Sequence, residues 1–213
     1  MLGDVIQIKP EYFTTSAKLA ELWKNQCGDL GRSVIGIAGE SGSGKSVTAV
    51  CLQKSLHEMG VKALILHMDD YFHLPPSSNH QRRLESLDNV GKHEVNLSLL
   101  EENVVAFKEG VSDITVPVVN YKLNTILSEI IPSEGYDVLI IEGTYTFFIE
   151  NLDFKIYMDR TYVQTREQRA SRAREEMSDF IESVLALEHD IIRPTKINAD
   201  VVVDVHYQVV PNK

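Results

Sequence analysis

The chain is short of cysteine, of positive charge and of long apolar runs. Two cysteines in 213 residues, Cys27 and Cys51, exclude a disulfide framework, and Cys51 falls in a helix-like stretch where a buried thiol is the default. No apolar run approaches the length of a membrane span, and the first residues, MLGDVIQIKP, lack the apolar core of a signal peptide. A cytoplasmic address without a membrane partner is the expectation. Lys and Arg together number 21 against 31 Asp and Glu, a net charge of −10, which disfavours nucleic acid and anionic lipid as partners. Any anion site must therefore be built locally. An N-K-x-D segment that would read guanine is absent, as are metal-ligand spacings such as H-E-x-x-H, internal repeats and low-complexity linkers.

What is present is the stretch Gly39-Glu40-Ser41-Gly42-Ser43-Gly44-Lys45-Ser46, which satisfies G-x-x-x-x-G-K-[ST] at every fixed position. Glycines let the backbone curl tightly and bring successive N–H groups against phosphate oxygens, where side chains would obstruct. Lys45 adds a mobile positive charge, Ser46 offers a hydroxyl to Mg²⁺, and the helix opening near Val47 points its positive end at the anion. The context fits. The apolar run Ser33 to Ala38 reads as a buried strand, and Val47 to Leu56 has helical spacing.

The length suits one domain, residues 1–213, able to bury a sheet with helices on both faces. Residues 1–31 read as an N-terminal extension, with a helix from about Ser16 to Gln26 that serves packing. Lys62 to Met68 is a second strand running into Asp69-Asp70-Tyr71-Phe72, and residues 73–96 form a polar excursion on the substrate side with Pro75-Pro76 and no clean periodicity. Ser98 to Glu101 fits a capping box for a helix ending near Gly110, and Asp113 to Tyr121 has strand character, with Pro117 placing it at an edge. Tyr136 to Gly143 is the clearest buried strand and carries Glu142 at its exit. Phe154 to Met158 follows, then an arginine-rich lid over 162–176, a helix from Ser178 to Ile192 and a terminal strand from Ala199 to Val205. This alternation predicts a mostly parallel α/β sheet with ligands at the carboxyl ends of its strands.

That geometry gathers the glycine loop, Asp69 and Glu142 into one cleft suited to phosphoryl transfer, where phosphates are held, charge is neutralised and a nucleophile is aligned. Lys45 and the loop amides hold phosphate, while Ser46 and Glu142 hold Mg²⁺ directly or through its waters. Asp69 accepts or orients the proton of a substrate hydroxyl, with the adjacent Asp70 as competitor. Arg166, Arg169 and Arg172, with Arg174 beyond, share a helical face that can close over a triphosphate, against the plain alternative of a solvated face paired with glutamates. Tyr71, Phe72, Arg82, Arg83, His80, His93 and Tyr121 are candidates to bind or enclose the substrate.

The order GESGSGKS, MDDYF, VPVVNY, YDVLIIEGTYTF, the arginine-rich lid and PTKINADVVV resembles the phosphoribulokinase/uridine kinase family of P-loop kinases over residues 33 to 205. The resemblance implies a three-layer α/β/α P-loop fold with a lid and an ATP- and Mg²⁺-dependent kinase. It implies Asp69 as catalytic aspartate, Glu142 as the metal-site carboxylate, and Arg166 with Arg169 at the start of the lid. A nucleoside acceptor such as uridine or cytidine is the first candidate. The chain departs from the uridine kinase pattern in Asn120 to Ile126, which lacks that pattern's histidine and arginine, and in the segment Asp88 to Glu94. A sugar phosphate, a pantothenate-like alcohol or a nucleotide sugar therefore remain alternatives, as do a P-loop switch and a nucleotide binder without catalysis. The sequence leaves open whether the chain forms a homo-oligomer.

Overall fold

The computed structural model describes residues 10–167, 169 and 178–212. Six strands form the main sheet: β1 Ser33–Gly39, β2 Ala63–His67, β5 Val138–Gly143, β6 Phe154–Met158, β7 Val201–Val203 and β8 Val209–Pro211. Their spatial order is β2-β5-β1-β6-β7-β8, parallel except for the antiparallel β7–β8 pair. Every residue of β1 and β5 is buried, as continuous apolar runs with both faces covered require. β1 has β5 on one side and β6 on the other, so the chain reverses its direction of winding there, and ligand crevices of open α/β sheets lie outside such a strand's carboxyl end.

Alternate β1 side chains feed two apolar cores. Ile35 and Ile37 pack with Leu19, Ala20 and Trp23 of α1 (Pro10–Cys27) and with Ala49, Leu52 and Leu56 of α2 (Lys45–Glu58). Val34 and Ala38 face the opposite layer, with Leu100, Val104 and Phe107 of α4 (Leu97–Glu109) and Ile192 of α5 (Asp179–Ile192). The result is the expected helix–sheet–helix sandwich. Trp23 donates its indole N–H to Ser33 Oγ at 3.0 Å, which satisfies the one polar atom it buries.

Several local expectations need correction. The first helix begins at Pro10, six residues before Ser16. The excursion is not structureless, since Pro76–Glu85 forms helix α3 with proline at its first turn, where a missing N–H costs nothing. That helix is polar, and of its residues only Asn79 is buried, so it carries no apolar period to detect. The cap of α4 is Asn96, whose side chain accepts from Leu99 N at 3.1 Å, and not Ser98. Asp113–Asn120 (β3) pairs with an unforeseen strand, Thr125–Pro132 (β4), as an antiparallel hairpin outside the main sheet.

One buried ion network ties the excursion to α5. Glu94 accepts from Arg83 Nε at 2.6 Å and Nη2 at 2.9 Å, from Asn79 Nδ2 at 2.8 Å and from Gly91 N at 2.7 Å, while Arg83 Nη2 also reaches Glu188 at 3.0 Å. Removing one member would leave charge buried and unpaired. Arg83→Ala is therefore expected to cost roughly 3–5 kcal/mol of stability in a urea unfolding midpoint. The same change at exposed Arg82 should cost under about 0.5 kcal/mol.

Candidate active site

The loop 39–46 leaves the carboxyl end of β1 and runs into α2, as strand–glycine loop–helix requires. Gly42 has φ +74, and a Cβ there would meet Arg169 Cγ at 2.9 Å, so both conformation and contact demand glycine. Lys45 is buried and donates to the Glu40 carbonyl at 2.9 Å. Ser46 donates its hydroxyl to Glu142 Oε1 at 3.0 Å, which places a hydroxyl and a carboxylate from two elements side by side. Hard oxygen donors so arranged fit Mg²⁺, which is bound through one or two protein oxygens plus substrate phosphates. Among the described residues no three His, Cys, Asp or Glu side chains gather into a protein-only metal cage.

Asp69 and Asp70 lie not in extended chain but in a 3₁₀ turn, Met68–Tyr71, at the end of β2. Their side chains still diverge. Asp70 is buried and accepts from Val119 N at 2.9 Å, anchoring the β3–β4 hairpin. Asp69 is partly buried and faces the electrostatic field of Glu142, Lys45 and His67. Burial and the Glu142 carboxylate push its carboxyl up to about 6, against the pull of Lys45 and His67. Burial would raise Glu142 too, but the hydrogen bond and charge of His67, the charge of Lys45 and the Ser46 hydroxyl outweigh it and hold that carboxyl below its ordinary value. The two carboxyls thus divide their roles, one ionised first and one holding its proton longer. Gly143 makes room for this turn, because a Cβ there would sit 2.3 Å from Met68 Cβ.

His67 was not foreseen. Its Nδ1 lies 2.7 Å from Glu142 Oε1, and the two residues are register partners on the parallel strands β2 and β5. The clue lay in aligning the carboxyl ends of the two apolar strands.

Two residues expected at the substrate are turned elsewhere. Tyr71 is fully buried in the core, its hydroxyl taken by Asn103 Nδ2 at 2.8 Å, because its place in the 3₁₀ turn directs it inward. Arg83 is engaged by Glu94 and Glu188. Tyr121 stands exposed at the hairpin turn, where Asn124 Oδ1 accepts from Ser77 N at 2.8 Å and joins the hairpin to the start of α3. A shallow depression beside this junction is lined by Leu74, Ser77, Ser78, Gln81, Arg82, Glu85 and Asn124 and shares no residue with the glycine loop.

In the arginine-bearing segment after β6, Arg166 is exposed with Nε 3.8 Å from Glu182 Oε1, whereas Arg169 is largely buried and its Nη2 donates to the Tyr162 carbonyl at 3.0 Å and to Glu182 at 3.2 Å. Arg172 and Arg174 lie outside the described residues.

A mostly parallel sheet with the loop at its switch strand and a carboxylate on the neighbouring strand is the arrangement of a P-loop nucleotide-binding fold. The model of the phosphoribulokinase / uridine kinase family matches residues 34–210, and the chain belongs to that family. It is 27% identical over 183 residues to a uridine kinase of Leuconostoc citreum, covering 80% of this chain and 86% of the relative. It is 30% identical over 186 residues to a bifunctional alpha-galactosidase/sucrose kinase of Mediterraneibacter gnavus, covering 81% of this chain but a fifth (20%) of that protein's length. Among solved structures, a possible uridine kinase from Bacillus stearothermophilus superposes with a TM-score of 0.66 at 22% identity, covering 89% of this chain and 97% of the other. A D-glycerate 3-kinase from Cryptococcus neoformans superposes at 0.60 with 13% identity, covering 97% and 99%. The chain is accordingly a phosphotransferase with a hydroxyl acceptor, and its family implies the use of ATP. Among the described residues no helix is long and apolar enough to cross a membrane.

Proposed function

We propose that the protein transfers the γ-phosphate of ATP, with Mg²⁺, to a hydroxyl of a small molecule, and that a nucleoside of the uridine or cytidine type is the first acceptor to test. The observation that carries the reading is the Ser46–Glu142 pair at 3.0 Å, with Asp69 and Lys45 acting electrostatically on the same carboxylate. Mg²⁺ held there with the triphosphate would neutralise charge on the phosphate oxygens. Lys45 leaves the Glu40 carbonyl for the phosphates, and the loop N–H groups cradle them. Glu142 stays ionised, fixed by His67 and Ser46. Asp69 takes or aligns the acceptor's hydroxyl proton, and Arg169 with Arg166 lies on the lid side of the loop to meet charge on the moving group.

The departure of Asn120 to Ile126 from the uridine kinase pattern weighs against a nucleoside, and the relative named as a sucrose kinase supports a sugar as the second acceptor class. Phosphorus NMR on mixtures of protein, MgATP and either uridine or a sugar separates the two. A new phosphomonoester resonance with uridine supports the nucleoside reading, and one with the sugar alone overturns it.

Because Asp69 must be deprotonated to act as a base and its carboxyl is raised to about 6, kcat/KM for the acceptor should rise with pH through about 6 and level off above it. A profile falling across that interval would contradict the assignment.

A further inference from the structure

The first variable residue of the glycine loop, Glu40, has its side chain turned away from the phosphate cradle and buried. Its Oε2 accepts from Tyr162 N, where the lid segment begins, at 2.6 Å, and its Oε1 lies 2.7 Å from His189 Nδ1 on α5. On the far side of the ring, Arg193 Nη1 is 3.4 Å from His189 Nε2. A guanidinium has no acceptor, so this contact assigns Nε2 as acceptor and leaves the proton on Nδ1, directed at Glu40. The rings of Tyr162 and His189 meet edge to face at 5.9 Å. Two further bonds close the arrangement, Thr165 Oγ1 to the Ser41 carbonyl at 2.9 Å and Arg169 Nη2 to the Tyr162 carbonyl at 3.0 Å. Glu40 also holds the loop through its backbone, since its carbonyl accepts from both Lys45 Nζ and Ser43 N.

One carboxylate therefore fastens three elements together: the phosphate loop, the root of the arginine-bearing segment and α5. We propose that His189 is a positioning residue for nucleotide binding, acting through Glu40. It fixes the Glu40 carboxylate so that the loop amides and the Tyr162–Arg169 segment are preset in the geometry that receives the triphosphate. A hydrogen bond to a buried charge is among the stronger ones and is costly to leave unmade, which makes His189 more than a surface partner. This inference rests on the reading of the loop as an ATP site.

Calorimetric titration of the full chain with MgATP tests it. His189→Ala should weaken MgATP about tenfold, the scale of one lost hydrogen bond to a charged group. His189→Asn, whose amide N–H replaces Nδ1–H, should regain most of that. Glu40→Gln should weaken binding by a similar factor, and the double variant His189→Ala/Glu40→Gln by no more than either alone, because the pair acts as a unit. A purely structural histidine would lower the unfolding temperature of the free protein while leaving MgATP affinity unchanged, and that result would overturn the proposal, as would additive losses. If His189→Ala does not fold, Glu40→Gln decides: wild-type affinity there also overturns it. A wild-type protein that fails to bind MgATP would overturn the nucleotide reading and this inference with it, whereas wild-type binding with unaltered variants overturns the inference alone.

Discussion

Asp69→Asn is expected to lower turnover by roughly 10²–10⁴-fold, the range of a lost general base, while MgATP affinity stays within about threefold of wild type. The substitution keeps the shape of the side chain and removes only its ability to take a proton. It should also stabilise the free protein. The folded carboxyl titrates near 6 while the unfolded one returns to 3.8, so the stabilising contribution is complete below about pH 4 and lost as pH rises through about 6. Asparagine never ionises beside Glu142, so at pH 8 the variant should melt higher, by about 2–4 °C for each kcal/mol of relieved repulsion and desolvation. Steady-state rates with scanning calorimetry at pH 4 and pH 8 check both halves. Turnover within about tenfold of wild type, or a variant that melts lower at pH 8, would remove Asp69 from its assigned role.

Lys45→Ala should have the largest effect on nucleotide binding. The ammonium is buried, held by the Glu40 carbonyl and flanked electrostatically by Asp69 and Glu142, so together with His67 it offsets those carboxylates before a phosphate arrives. Its loss should weaken MgATP by about 100-fold and take phosphoryl transfer below detection, consistent with a charge acting in a water-poor site. It should also raise the titration of Asp69 further, since Lys45 is a group pulling it down. A fluorescent-nucleotide titration showing affinity within about threefold of wild type would contradict this.

The main sheet was legible because its central strands are buried on both faces and read as unbroken apolar runs, and because the glycine loop fixes which strand ends at the site. The Ser46–Glu142 contact followed from that topology. Helix α3 was hidden because its stability comes from a polar network, Asn79, Arg83 and Glu94, rather than from an apolar stripe. The hairpin partner β4 escaped for a related reason: Leu127 and Ile130 are exposed, so burial did not shape its pattern. Tyr71 and Arg83 read as substrate residues although the fold turns them elsewhere, since an aromatic or arginine near a cleft reads alike whether it faces ligand or core. His67 and His189 needed register and tertiary contact to be found, and neither stands in a recognisable motif.

The most direct test is ADP release measured with MgATP against a panel of uridine, cytidine, other nucleosides, ribulose 5-phosphate, sucrose, glycerate, pantothenate and a nucleotide sugar, each beside a control without acceptor. A kinase for a small-molecule hydroxyl predicts release that depends on one chemical class of acceptor, with one phosphorylated product formed per ADP. Release at the same rate with and without every acceptor, or none from a protein that binds MgATP, would contradict it.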